Sequence, residues 1–457
     1  MPELDETASS APPAERLRVI GNGWALHPPR SGVGVYTYEL FSRLERERDR
    51  IDFRILMGSE LMDLASALAY TERRPEEPPR FKAAWTKFSF DWRRPIRGIR
   101  HAGIVAYHTA HSGFSPIRRM LGRTPVIGDQ LKRLSKFYRE SRGARAIEQQ
   151  KAEIDWREEP VVFHEPNFVT PFLSDQLVVT VHDFSFVRYR ELHPVERLEW
   201  LTEGLDRTIC GASRIIVPSE FTRTELLEMV PEQDPERVHV VGLGHAPDFR
   251  PRSADECAQR LKDYDLAYGR YCLFVGNLEP RKNLVTLLAA YERLPDSYRR
   301  AMPLVLVGAK GWRDADILAR VEALEVRGFV RRLGFVPSED LPVLYSAAGQ
   351  FVYPTIYEGF GLPVLEALAS GVPVISTRAA SIPEVAGDAA LLLEDPRDVD
   401  GLAAAIRQLQ DEPALAAEMV EKGLRQARRF SWERCVSETL DVYRLAAEDA
   451  STSVSKR

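Results

Sequence analysis

The sequence predicts an α/β protein made of two successive domains, and three observations carry that expectation. At 457 residues the chain is longer than one hydrophobic core fills, and it suits two domains of roughly 200 residues each. Apolar, β-rich runs recur along it between segments of helical spacing, the pattern of buried parallel strands joined by crossover helices. Twice, a strand leads into a glycine-containing turn and then a helix, first around Gly32 and Gly34 and again around Gly359 and Gly361. Such a turn lets backbone approach a ligand closely and leaves unpaired amides at a helix N-terminus, where an anion is favoured.

The second of these turns organises the reading. In FVYPTIYEGFGLPVLEALASGVPVIS, a strand from Phe351 to Pro354 enters the loop, Pro363 stands where a helix begins, the helix pattern stops at Gly371, and Val372–Ile375 starts the next strand. Glu358 falls on the loop and Glu366 in the helix's first turns. They do not form an i,i+4 pair, but both can face a ligand held at the helix start.

This Glu-x7-Glu arrangement, with GFGLPVLEA between and around its glutamates, resembles the signature of the retaining glycosyltransferases of family GT4. The resemblance implies the GT-B architecture: two Rossmann-like domains with a cleft between them, and a C-terminal helix crossing back to the first. It further implies that Glu358 meets the hydroxyls of a donor sugar, that Glu366 meets the nucleotide ribose, and that the amides of Phe360, Gly361 and Leu362 meet sugar and phosphate. It covers about residues 17–57 and 160–445 and leaves 58–159 unexplained.

In chain order, residues 1–15 are expected to be a disordered tail and 16–247 the acceptor domain, opened by a strand at Leu17–Gly21. Gly32 and Gly34 then precede a helix from Tyr36 to Leu44, and the turn resembles the GT4 glycine loop between donor and acceptor. A second strand covers Ile51–Gly58. A basic insertion spans about 75–155. From Arg93 to Arg145 it carries Arg94, Arg97, Arg100, Arg118, Arg119, Arg123, Lys132, Arg133, Lys136, Arg139 and Arg142 against Asp129 and Glu140, in a chain whose net charge is −5. With aromatic residues interleaved, this segment suits either an anionic membrane surface or a solvated basic face. No fold motif supports nucleic acid.

Strands are expected at Val161–His164 and Leu177–Val181, placing His182 and Asp183 at a strand's C-terminal end, the edge at which open α/β sheets bind ligands. The segment TVHDFSF resembles mannosyltransferase-like GT4 enzymes, in whose relatives this histidine reaches donor sugar and phosphate. His164 is a weaker candidate for acceptor contact. A helix opened by Ser219 and a strand over VHVVGLGH (238–245) complete the domain.

After a linker at His245–Arg252, a donor domain (253–428) begins with YCLFVGN, whose strand ends in Asn277. Arg281 and Lys282 follow just before a helix, a fork and a point charge suited to a diphosphate. GT4 enzymes often have Gly-Arg where this chain has Gly276–Asn277, a departure that leaves Arg281 and Lys282 as the expected phosphate pair. Residues 429–449 are expected to form the crossover helix and 450–457 a tail.

Cys210, Cys257, Cys272 and Cys435 show no metal-ligand spacing and read as buried thiols. No DxD-like or H-E-x-x-H metal site appears, so no metal or cofactor is expected. An acidic, Pro/Ser-rich start and the absence of a long apolar run point to a cytoplasmic protein, peripheral to the membrane at most. The predicted activity is transfer of a hexose, mannose from GDP-mannose, to a glycan or lipid-linked acceptor. A nucleotide-sugar epimerase and a silent sugar-nucleotide-binding subunit are the alternatives.

Overall fold

The computed structural model describes residues 16–28, 30, 32–58, 60–73, 161–170, 174, 176–193, 195–309 and 315–454. The expected N-terminal tail, the basic run 93–145 and the insertion around it lie outside the described residues. The chain divides into two compact units, one of Met1–Pro166, Thr170–Leu177 and Ala446–Arg457, the other of Asn167–Val169 and Val178–Leu445.

The first sheet has the order β3-β2-β1-β4-β5-β6-β7. Its strands are β1 (Leu17–Asn22), β2 (Ile51–Met57), β3 (Glu60–Met62), β4 (Val161–Glu165), β5 (Leu177–Thr180), β6 (Arg214–Val217) and β7 (Val238–Val240). Strand β1 is parallel to β2 and β4, β6 is parallel to β5 and β7, and the short β3 is antiparallel to β2. The second sheet has the order β10-β9-β8-β11-β12-β13 and is parallel throughout. It comprises β8 (Cys272–Val275), β9 (Leu304–Val307), β10 (Val330–Gly334), β11 (Gln350–Val352), β12 (Val374–Thr377) and β13 (Ala390–Leu393). Runs such as LVLV form its centre because their residues are buried on both faces, which only a helix-covered parallel sheet provides.

The helices are α1 (Gly32–Leu44) and α2 (Leu64–Arg73), then α3 (Ser185–Arg188), α4 (Val195–Gly211), α5 (Glu220–Met229), α6 (Ala254–Asp263), α7 (Leu284–Glu292) and α8 (Asp296–Ala301). They continue as α9 (Ala315–Glu325), α10 (Leu341–Ser346), α11 (Leu362–Ala369), α12 (Ile382–Ala386), α13 (Val399–Asp411), α14 (Pro413–Ala427) and α15 (Trp432–Val454). Ser219 caps α5 as its position suggested, its hydroxyl accepting the Thr222 amide at 3.1 Å. Helix α15 buries Trp432, Cys435, Val436, Leu440 and Tyr443 along one face.

Three expectations are corrected. Gly32 and Gly34 do not form a loop ahead of a helix; they are residues of α1 itself. A Cβ on Gly34 would come within 2.9 Å of the Ala25 carbonyl oxygen, so the close approach of the preceding turn demands glycine there despite its poor helix propensity. The thiol at Cys210 is exposed, unlike Cys257, Cys272 and Cys435, which are buried. The strand expected over 238–245 ends at Val240. Among the described residues no helix is long and apolar enough to cross a membrane.

Candidate active site

The order of the second sheet fixes where its site lies. From β8 the chain moves outward through β9 to β10, then returns to the other side of β8 as β11. Loops leaving β8 and β11 therefore diverge, and in open α/β sheets that switch point opens a crevice at the strands' C-terminal ends. Arg281 and Lys282 lie on the turn after β8, and Glu358 on the loop after β11.

The turn over Pro280–Lys282 is closed by Asn283 in the left-handed region (φ 59°). The side-chain amide of Asn283 donates to the carbonyl oxygens of Pro354 (2.9 Å) and Pro396 (2.6 Å), while Ile356 N–H donates to the Arg281 carbonyl at 3.0 Å. These bonds dock one loop on the other and bring the ionised groups together. Glu358, 7% exposed, accepts on Oε1 from Lys282 Nζ (2.6 Å), the Tyr353 hydroxyl (2.9 Å) and the Thr355 hydroxyl (2.9 Å), and on Oε2 from Arg281 (3.1 Å). The Arg281 guanidinium also donates to the Tyr357 carbonyl and to Glu279, both at 2.8 Å. Lys282 donates to the Tyr353 hydroxyl at 2.7 Å.

The electrostatics follow from this packing. Burial alone would raise the Glu358 carboxyl, but Arg281 and Lys282, with hydrogen bonds from Lys282 and Tyr353, hold it down at about 2. Lys282 is drawn below the usual lysine value, first by burial and then by the neighbouring Arg281, which together outweigh Glu358. Arg281 stays far above its ordinary range, because Glu358, Glu279 and Asp183 overcome its desolvation. The Tyr353 hydroxyl is pushed up by burial and then by Glu358, so it remains a hydrogen-bond donor.

The loop's main chain is held from outside the cluster. The Gly359 carbonyl accepts from the hydroxyls of Ser219 (2.7 Å) and Thr222 (3.2 Å) at the start of α5. The Ser381 hydroxyl sits 2.8 Å from both the Glu358 and the Phe360 carbonyl oxygens. Gly359 lies so close to residues 182–183 that a Cβ would fall 1.8 Å from the His182 carbonyl oxygen. Gly361 (φ 107°) turns the chain into α11, where Pro363 occupies the first turn.

The structure thus assembles Glu358, Arg281 and Lys282, with Asp183 close enough to act on Arg281 and His182 backed onto Gly359. The His182 ring lies 5.5 Å from Phe168, edge to face. Phe360 is buried against Phe430, Leu362 opens α11, and Glu366 is half-buried on it, near enough to Tyr345 to help raise that hydroxyl. Asn277 is exposed at the end of β8. Gly32 and Gly34 belong to the other unit. His164, suggested for acceptor contact, is fully buried, its ring 6.4 Å from Phe41, so it is a core histidine. Among the described residues no group of three or more His, Cys, Asp or Glu could hold a metal.

Four contributors escaped the sequence reading: Tyr353, Thr355, Ser381 and Glu279. The first two carried a signal. Hydroxyl side chains at 353, 355 and 357 alternate at the strand's end, and the first two turn toward Glu358.

Solved structures share this architecture. Anabaena HepE, solved with UDP-glucose, covers 96% of this chain and 100% of its own, with a TM-score of 0.59 and 16% identity. WaaG, a glycosyltransferase of lipopolysaccharide biosynthesis, covers 66% and 82%, with a TM-score of 0.54 and 18% identity. These likenesses show the GT-B fold. Residues 268–426 match the glycosyl transferases group 1 family. The O-antigen chain mannosyltransferase B of Escherichia coli is 33% identical over 417 residues, 91% of this chain and 97% of that one. This chain belongs to that family and is a GT4-like glycosyltransferase.

Proposed function

We propose that the chain transfers a hexose, mannose from GDP-mannose, to a growing glycan or lipid-linked acceptor in the synthesis of a surface polysaccharide. The observation that carries this reading is the cluster at the switch point between β8 and β11, where one carboxylate is shared by two cations. Mannose is favoured because the E. coli relative named above is a mannosyltransferase and because the serotype-specific mannosyltransferase WbdA of E. coli is 32% identical over 181 residues, 39% of this chain and 22% of that one.

In this reading Arg281 and Lys282 bind the donor's diphosphate and stabilise the charge that grows on it as the bond from the sugar's C1 breaks. The amides around Phe360–Leu362 reinforce them, Glu358 and His182 hold the sugar, and Glu366 the ribose. Asn277 and Asp183 contribute to donor binding. The acceptor oxygen attacks C1 on the face the phosphate leaves, and its proton passes to the departing phosphate oxygen, so configuration is retained. Two cations supply the positive charge, and no metal is required. The protein works in the cytoplasm, with the basic segment 93–145 resting on the anionic inner face of the plasma membrane.

Thermal stabilisation by GDP, GDP-mannose, UDP and UDP-glucose, followed by transfer assays with the donor that binds, tests the reading. Selective stabilisation by GDP-mannose and its consumption with an acceptor are expected. Stabilisation by none of the four, or by UDP-glucose alone, overturns the corresponding part.

A further inference from the structure

Tyr357 precedes Glu358, yet its side chain takes no part in the cluster. Its hydroxyl accepts the Phe184 amide at 3.0 Å and donates to Glu225 on α5. Glu225 is 5% exposed, and its second carboxylate oxygen accepts from Arg188 Nε at 2.8 Å. The Tyr357 ring is 2% exposed, wedged edge to face between Tyr189 (5.6 Å) and Phe221 (5.7 Å). Burial, then Asp183 and Glu225, raise the Tyr357 hydroxyl, so it keeps its proton.

A buried carboxylate with two donors committed to it is costly to rearrange, because each alternative leaves a desolvated charge unpaired. The same helix fixes the other side of Glu358 through Ser219 and Thr222, which hold the Gly359 carbonyl. Its N-terminal amides, on Glu220 and Phe221, are in turn taken by the Glu384 carboxylate at 2.9 and 2.7 Å. Glu384 lies on α12, which begins just after Ser381. Both flanks of residue 358 are therefore tied to one helix.

We propose that Glu225 is a positioning residue for Glu358, acting through Tyr357. It touches no reacting atom; it sets the direction in which the loop carries the Glu358 carboxylate. The proposal rests on the reading of Glu358 as a donor-site residue.

The test compares Tyr357→Phe, Glu225→Leu, Glu225→Gln and Glu358→Gln in the full chain, measuring kcat, donor KM, nucleotide affinity and thermal midpoint. Tyr357→Phe and Glu225→Leu should lower kcat by about 10- to 100-fold, the scale of a misplaced catalytic group. Affinity for the nucleoside diphosphate should stay within about 2-fold of wild type, since Arg281 and Lys282 are untouched. Glu225→Gln keeps an oxygen that Tyr357 can donate to, and it should recover most of the loss. Combined with Glu358→Gln, Tyr357→Phe should cost nothing further, because a positioning effect vanishes with the group it positions.

If Tyr357→Phe turns over like wild type, or loses as much in the Glu358→Gln background as alone, the proposal is overturned. If Glu358→Gln itself turns over normally, the donor-site reading fails instead.

Discussion

At the scale of single residues, Glu358 is the point on which charge and geometry meet. Its carboxyl is held at about 2 against 4.5 in a free side chain, so its contribution to stability is complete above pH 4.5 and is lost as pH falls from there toward 2. The linked amount is about 3 kcal/mol. Denaturant midpoints between pH 6 and pH 3 should fall more steeply for the wild type than for Glu358→Gln; parallel curves would contradict the linkage. Lys282 titrates below the ordinary 10.5, so the unfolded chain binds the extra proton and this residue makes stability rise with pH up to 10.5. Its charge is accordingly lost early. Nucleotide affinity should weaken on the alkaline side before pH 10.5, and Lys282→Met should remove that limb along with at least about 100-fold of the transfer rate.

At the scale of elements, the loop from Tyr353 to Leu362 is a short segment whose backbone has almost no freedom left. A methyl group on Gly361 would meet Ile382 Cδ1 at 2.8 Å in a left-handed backbone, so Gly361→Ala should cost about 1–3 kcal/mol, read as a lower unfolding midpoint. An unchanged midpoint would mean that the turn relaxes. The strands and most helices around this loop were legible in the sequence, because buried runs such as Val161–Glu165 and Leu304–Val307 leave a local trace, as do the cap at Ser219 and Pro363 in the first turn of α11. What holds the loop was not legible. Ser219 and Gly359 are 140 positions apart and Glu225 and Tyr357 are 132 apart, so their bonds leave no periodicity near either partner. In SEFTRTELLEM, Glu225 has the look of any charged residue on a helix's wet face. The start of α1 was misread for a related reason: glycine's weak propensity disguised a helix whose first turn must be thin to pass Ala25.

At the scale of the whole molecule, the chain forms two compact units, and a chain of two units is not bound to unfold in a single transition. Glu358, Arg281, Lys282, His182 and Asp183 all belong to the second unit. A nucleotide sugar that binds this cluster should raise that unit's transition by mass action and leave a separate first-unit transition in place. Differential scanning calorimetry with and without donor would show it, and an equal shift of two resolved transitions would count against the assignment. Thiol accessibility offers an independent check on the packing. One cysteine, Cys210, should react with a membrane-impermeant thiol reagent in the native state, and Cys257, Cys272 and Cys435 only after denaturation.

The bond between Glu384 and the opening amides of α5 bears on any attempt to dissect the chain. A fragment cut near residue 250 would keep α5 but lose the carboxylate that covers its first turn, the Gly359 carbonyl that Ser219 serves, and the phenol that satisfies Glu225. Expressed alone, such a piece would also leave Tyr189 and Phe221 without the Tyr357 ring packed on them, and with that apolar surface open to water it should be recovered as aggregate more readily than as a working half.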